Sequence, residues 1–548
     1  MRGLRKDSPR RVLSGAARRR RAAVFAVWIA FLARGAIQAL VTPIWEGFDE
    51  PFHVAYVTFV ARNGRPPGYE ERSYPVEYRR ILRILPSWLG SGIPTFRQWQ
   101  QLKPDERAAR RSLAGRPGSA MGSPPQYESA NYERQQPPLF YYLAAPFAWI
   151  LSRSSLAELI VGLRLFCVLI ASLAVPATAR LARLLLPQRG VLLALPIAAF
   201  LPNTLFFVDR VTNDALAWPI LAAAAGTLVL AARRPGDWRR FLRLGLLVAA
   251  GVWTKMTLLP LLPAALTAAL LARRRRDGRR RANLVASAGL PALLIAPLLA
   301  WNVAAAGTWT GITYSIHGRH PGIAAALAEW KDVDWPLFLR YWTRTHLWAG
   351  GWEFLQPAEP VYAAAAAALV LAVAAALARA RRRRRALPGR SRWLPLGLVA
   401  LLFLGAMLFH VLSVSAAGHA AGTPQIAGGE GWYFDLLRPI EACAAAALLC
   451  AALPARRTRS AVAAVVLLLG AVDAAGTFGL LLPHWAGMPT TGWSPRALRF
   501  ALGGARQAAP LLYPYALAGA LGVILFAACL ALVLIAPPAR AASGATAA

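Results

Sequence analysis

Apolar runs alternate with arginine clusters along the whole chain, and many runs reach the roughly 18–20 residues that cross a bilayer as one helix. They lie at approximately 22–41, 158–182, 190–208, 213–232, 241–255, 257–272, 282–303, 361–379, 393–414, 432–453, 460–482 and 511–536. The pattern predicts an all-α polytopic membrane protein with about twelve transmembrane helices, within a range of 11–13. The run Pro137–Leu151 is shorter and is broken by Pro146. If it spanned, the later arginine clusters would face outward. If it lies at the interface, the clusters Arg180–Arg189, Arg233–Arg240, Arg273–Arg281, Arg379–Arg392 and Arg456–Arg459 all face the cytoplasm, as the positive-inside rule requires. The second arrangement is adopted. It predicts a basic cytoplasmic N-terminus over 1–21, a membrane domain over 22–536 with long external segments at 43–157 and 304–360, and a cytoplasmic tail over 537–548. Within the first segment, Arg79–Leu89 reads as an amphipathic helix, lying in the membrane interface or packed on the external segment.

Composition agrees with that pattern. Hydrophobic residues make up 57% of the 548 residues and the mean hydropathy is +0.42, too apolar for a soluble chain of this length. The net charge of +37 comes from arginines clustered between apolar runs, which is a topology signal and not a nucleic-acid surface. Cys167, Cys443, Cys450 and Cys529 all fall in apolar runs, with neither disulfide nor zinc spacing. The first run, 22–41, is longer than a signal-peptide core and reads as a retained span.

Acid is scarce, with 25 Asp and Glu in all, and it is densest just after the first run. Pro43-Ile-Trp-Glu-Gly-Phe-Asp-Glu-Pro-Phe-His-Val-Ala-Tyr56 holds Glu46, Asp49, Glu50 and His53. Asp209 and Asp214 flank another external turn. Arg34, Arg164, Lys255 and Arg438, the last beside Glu441, all fall near the outer ends of spans, where ionisable groups usually mark sites. Carboxylates facing cations across one external surface suit an anionic head group beside a general base. Pro51 gives a competing account of Asp49 and Glu50 as helix caps. Asp49, Glu50 and His53 are also the candidate ligands of a hard divalent cation, Mg or Mn, against a site that requires no cofactor. Asp473, in the eleventh span, is expected to be satisfied by a neighbouring helix.

The stretch Pro43–His53, and Gln135-Gln-Pro-Pro-Leu-Phe-Tyr-Tyr142 before the second span, resemble bacterial GT-C membrane glycosyltransferases. More distantly, the layout is similar to protein O-mannosyltransferases and to the aminoarabinose transferases that modify lipid A. The resemblance implies a GT-C-like helical arrangement whose long first external loop contains interfacial helices. It implies Asp49 and Glu50 acting on the acceptor hydroxyl, with Asp214 as the second acidic residue. Lys255 and Arg164 would hold the donor phosphate, and His53, Gln136 and Tyr433 would contact substrate. Related sequences carry Gly-Arg-Tyr in the late external loop, where this chain reads Glu430-Gly-Trp-Tyr433; Arg438 is then the substitute cation.

The expected activity is inverting transfer of a sugar from a polyprenyl-phosphate carrier to a glycan, lipid or protein acceptor of the cell envelope. It would take place on the external face of the cytoplasmic membrane, with no nucleic-acid partner. Trp330, Trp335, Trp342, Trp348 and Trp352 are candidate sugar-stacking rings. A flippase for lipid-linked saccharides and a non-catalytic envelope scaffold are the rival readings.

Overall fold

The computed structural model describes residues 9–87, 95–116, 126–271, 280–311, 322–348, 355–383, 390–420, 431–488, 495–508 and 514–536. The predicted tail 537–548, Trp352, Glu430 and part of the clusters 273–281 and 379–392 lie outside them. Among the described residues, eight helices are long and apolar enough to cross a membrane: Ala17–Val41, Leu156–Leu185, Asp214–Arg233, Arg281–Ala306, Glu359–Arg379, Trp393–Ala420, Ala455–Trp485 and Ala516–Ile535. The other predicted spans answer to the shorter helices Gln188–Phe200, Trp238–Thr254, Leu261–Leu271 and Arg438–Ala452. The chain is an all-α, multi-pass membrane protein. Gln188–Phe200 stops short of its predicted end because Pro202 drives Leu201 out of the helical region, to ψ 132°.

Asp214–Arg233 is the central helix, flanked by Leu156–Leu185, Trp238–Thr254 and the late helices. Its small residues Ala215, Ala217, Ala222, Ala224 and Ala225 are fully buried, which permits close helix approach. Glu359–Arg379 and Ala516–Ile535 instead expose Leu369, Val370, Leu371, Val523 and Phe526. Such faces are stable only against lipid.

The first external segment packs as a small cap on this bundle. Helix Glu50–Asn63 buries Val54, Ala55, Tyr56, Val57, Phe59 and Val60 and lies against helix Leu139–Ile150. That second helix has 12 residues, about 18 Å of rise, too short for a hydrocarbon core of about 30 Å. It buries Phe140, Tyr141, Ala144 and Ala148 and exposes Leu143, Phe147, Trp149 and Ile150. Strands Arg72–Pro75 and Tyr127–Ala130 pair antiparallel. The helix predicted from Arg79 starts at Val76 and ends at Ile84, the chain turning extended at Leu85 before Pro86. Its buried Tyr78 and Ile81, with Tyr78 against Trp45 at 5.6 Å between ring centroids, place it on the external segment.

Candidate functional site

The chain leaves the first span at Val41 and doubles back before helix Glu50–Asn63. Two non-glycine residues in that corner have positive φ, Trp45 at 70° and Asp49 at 56°. Aspartate tolerates the left-handed region better than most residues, and such strain concentrates at functional sites. Asp49 occupies the N-cap position, yet its side chain makes no capping hydrogen bond. Its backbone carbonyl instead accepts from the N–H groups of Phe52 and His53, at 2.9 and 3.0 Å. The half-buried carboxyl is therefore not spent on the helix. Burial pushes its pKa above the ordinary value, against the lowering pull of Arg210 and Lys255.

Glu50, the neighbouring residue, points the other way. Its carboxylate is bridged by the Nε and Nη2 of Arg164, each at 2.6 Å, and accepts the Val211 N–H at 3.1 Å. Arg164 also donates to the carbonyls of Ala39, Thr42 and Pro43, at 3.3, 2.6 and 2.9 Å. All five guanidinium N–H groups are thus engaged, and both side chains are 0% exposed. The pair clamps the corner onto helix Leu156–Ser172. No donor of Arg164 is left for a phosphate, and Glu50 is turned from the face that Asp49 presents.

Asp49 shares its recess with residues of three other segments. At the start of the central helix, Asp214 takes the Nζ of Lys255 at 2.5 Å and the Nη2 of Arg210 at 3.5 Å. Lys255 is placed by the abrupt end of helix Trp238–Thr254, where it is itself extended at φ −156°. Arg210 donates to the Phe48 carbonyl at 3.2 Å, with its guanidinium 5.3 Å from the centre of the Phe48 ring. Gly47 makes room for it: a Cβ there would collide with Cβ of Arg210. Phe48 in turn packs on Trp432 at 5.1 Å, bringing the late external turn onto the corner.

His53 lies on the same side, its Nδ1 2.8 Å from the Tyr141 hydroxyl. Burial, then the charges of Arg210 and Lys255, hold its pKa well below the usual value, so the imidazole is neutral at pH 7. Gln136 accepts from the Asn213 amide at 2.9 Å and hydrogen-bonds the Glu133 side chain. Of the sequence candidates, the fold brings together Asp49, His53, Gln136, Asp214 and Lys255. It adds Arg210, Glu133 and Asn213, none of which was a candidate. Arg210 sits in the acidic turn already singled out, and Glu133 lies three residues before Gln136; charge in those motifs was the available signal.

Arg438 belongs to a second polar cluster. It pairs with Asp435, with Glu441 at 3.1 Å and with Nε2 of His346 at 3.3 Å, and Asn203 donates to Asp435 at 2.5 Å. Tyr433 faces His410 at 5.7 Å. Arg34 pairs with Asp473 across two spans, Nε to Oδ2 at 2.9 Å, which satisfies Asp473 from a neighbouring helix. Trp330 packs on Trp335, Trp342 on His346, and Trp348 donates to the Leu355 carbonyl; among the described residues, Trp432 reaches the Asp49 corner at Phe48 and Trp485 reaches it at Glu46.

The described residues hold no group of three or more His, Cys, Asp or Glu side chains suited to a metal. With both Glu50 oxygens on Arg164 and Val211, the set Asp49, Glu50 and His53 does not fit a divalent cation.

Residues 135–301 match the family described as dolichyl-phosphate-mannose-protein mannosyltransferase. No curated protein matches the chain in sequence. The oligosaccharyltransferase of Archaeoglobus fulgidus in its apo form is similar at 15% identity and a TM-score of 0.38, over 90% of this chain and 56% of that one. ArnT from Cupriavidus metallidurans, solved bound to undecaprenyl phosphate, is similar at 14% identity and a TM-score of 0.37, over 84% of this chain and 74% of that one. This chain thus spans little more than half the length of the archaeal enzyme. The family match takes in Gln136, Arg210, Asn213, Asp214 and Lys255, so over residues 135–301 the chain is similar in sequence to membrane glycosyltransferases of the GT-C class.

Proposed function

We propose that the protein transfers a sugar from a polyprenyl-phosphate carrier to a hydroxyl acceptor of the cell envelope, at the external face of the cytoplasmic membrane with its N-terminus inside. The observation that carries this reading is Asp49: a carboxyl at a helix N-cap that forms no cap, under the influence of Arg210 and Lys255. Ionised Asp49 takes the proton of the acceptor hydroxyl as its oxygen attacks the anomeric carbon. The bond from that carbon to the phosphate oxygen breaks, and its electron pair leaves with the polyprenyl phosphate. The configuration inverts, since one displacement occurs.

Lys255 and Arg210 stabilise the departing phosphate, with Asp214 holding both cations in place. Arg210 takes the role first given to Arg164. Each cation removed is expected to slow transfer on the order of 10²-fold. The flippase reading would draw on Asp473, whose carboxylate is already paired with Arg34.

The test is purified protein in bilayers, supplied with polyprenyl-phosphate hexoses and candidate acceptors. Asp49→Asn should lower transfer by about 10²–10⁴-fold, and undiminished transfer by that variant removes the general-base role. Transfer should persist in a chelator, because the predicted ligand set is broken by Arg164; loss restored by Mg or Mn would overturn that.

A further inference from the structure

Two buried acceptors beside Asp49 lack donors. The Glu133 Oε2 and the Asn213 Oδ1 have no hydrogen-bond partner, although the residues are 3% and 1% exposed. An unmet buried acceptor costs about 1–3 kcal/mol, and both belong to a built wall. The Glu133 N–H donates to Asn131 Oδ1 at 2.9 Å, and Gln136 bonds the Glu133 side chain. Asn213 donates to Gln136 at 2.9 Å and to the Thr254 carbonyl at 3.0 Å. The wall therefore runs from Glu133 through Gln136 to Asn213 and ends on the residue before Lys255. Stacked Tyr56 and Tyr141, 3.6 Å between ring centres, back it: the Tyr56 hydroxyl donates to the Gln136 carbonyl at 3.2 Å.

We propose that Glu133 and Asn213 accept hydrogen bonds from hydroxyl groups of the transferred sugar, forming the subsite that distinguishes a glycosylated carrier from the bare lipid phosphate. The inference rests on the proposed function and adds which residues read the sugar. A polyol supplies the two or more O–H donors that the wall lacks, and a phosphate supplies none. The position fits: Asn213 is bonded to the neighbour of Lys255, so a ring attached to a phosphate held at Lys255 falls against these acceptors. Burial, then the charge of Asp49, raise the Glu133 pKa to about 8 against the lowering pull of Lys255 and Arg210, so at pH 7 the carboxyl is protonated, keeps its carbonyl oxygen as an acceptor, and shares the electrostatic surroundings of Asp49.

The experiment is equilibrium binding of the full chain in nanodiscs to undecaprenyl phosphate and to its mannosyl and glucosyl forms. The wild type should bind at least one glycosylated carrier more tightly than the bare one. Glu133→Ala and Asn213→Ala should each erase most of that difference, a loss of about five- to a hundredfold, while leaving affinity for the bare carrier unchanged. That unchanged affinity reports the fold, and Glu133→Gln, which keeps one acceptor oxygen, should fall between wild type and alanine. Equal wild-type affinity for all three lipids overturns the sugar subsite and leaves the lipid-phosphate reading standing. Wild-type preference that survives both alanine variants overturns the assignment of these residues. Binding of none of the lipids overturns the proposed function and this inference together. Where transfer is measurable, the variants should raise KM for the donor more than they lower kcat.

Discussion

Adjacent carboxylates in this chain have opposite fates, and the difference is one of direction. Glu50 is consumed by Arg164 in a fully buried pair, whereas Asp49 is held in the left-handed region with its side chain outside the cap. Breaking a buried ion pair leaves an uncompensated charge, at a cost of about 3–5 kcal/mol. Arg164→Ala should therefore lower the unfolding temperature and the yield of folded protein, and should leave the affinity of whatever folds for undecaprenyl phosphate unchanged. Thermal denaturation alongside lipid binding checks both. For Asp49 the sign of the pH dependence follows from its raised pKa. The ionised form is the base, so transfer falls as pH drops through a midpoint above the usual carboxylate range. Arg210 lowers that pKa and Asp214 raises it. In pH–rate profiles of kcat/KM, Arg210→Gln should move the acid limb to higher pH, and Asp214→Asn to lower pH.

At the scale of elements, the site is made by chain ends. Asp49 precedes one helix, Asp214 begins the central one, and Lys255 stands where a third stops. Helix ends place polar side chains at the outer edge of an apolar bundle without burying charge in lipid. The corner that joins them depends on contact between Gly47 and Arg210. Gly47→Ala should displace Arg210 at a cost of about 1–3 kcal/mol. It should reduce transfer more than Gly64→Ala, because nothing lies within 4 Å of a Cβ at Gly64, where the substitution meets only the backbone strain of a φ of 66°. Comparative activity at matched folded concentration checks it. Gly431 has an equivalent use, since a Cβ there would strike the backbone of Trp342 and His346, and so the late turn can bring Trp432 onto Phe48.

At the scale of the molecule, wrapped central helices and apolar outer ones describe a body solvated by lipid around its waist and by water at its ends. On the proposed topology, which follows the arginine pattern, the first loop faces outward. In intact cells, an impermeant thiol reagent should label Lys103→Cys, an exposed position of the first loop, and not Arg234→Cys, also exposed but between two spans. The reverse labelling would invert the topology. The four native cysteines are buried or half-buried, so the parent chain gives a low background.

The sequence by itself determined the class of the protein, because bilayer-length apolar runs leave helices as the only means of satisfying the backbone. It also singled out Pro43–Tyr56, from local charge density alone, as the centre of the candidate site. The partners were decided elsewhere. Whether Arg164 meets a phosphate or Glu50, and whether Asp473 meets a substrate or Arg34, depends on which helices are neighbours. Neither periodicity nor spacing encodes that adjacency. Glu133 and Asn213 show the same limit: the motifs beside them mark where charge and polarity gather, but not which partners each side chain meets. Their meaning appears only when folding brings two unmet acceptors to either side of Gln136, next to Asp49.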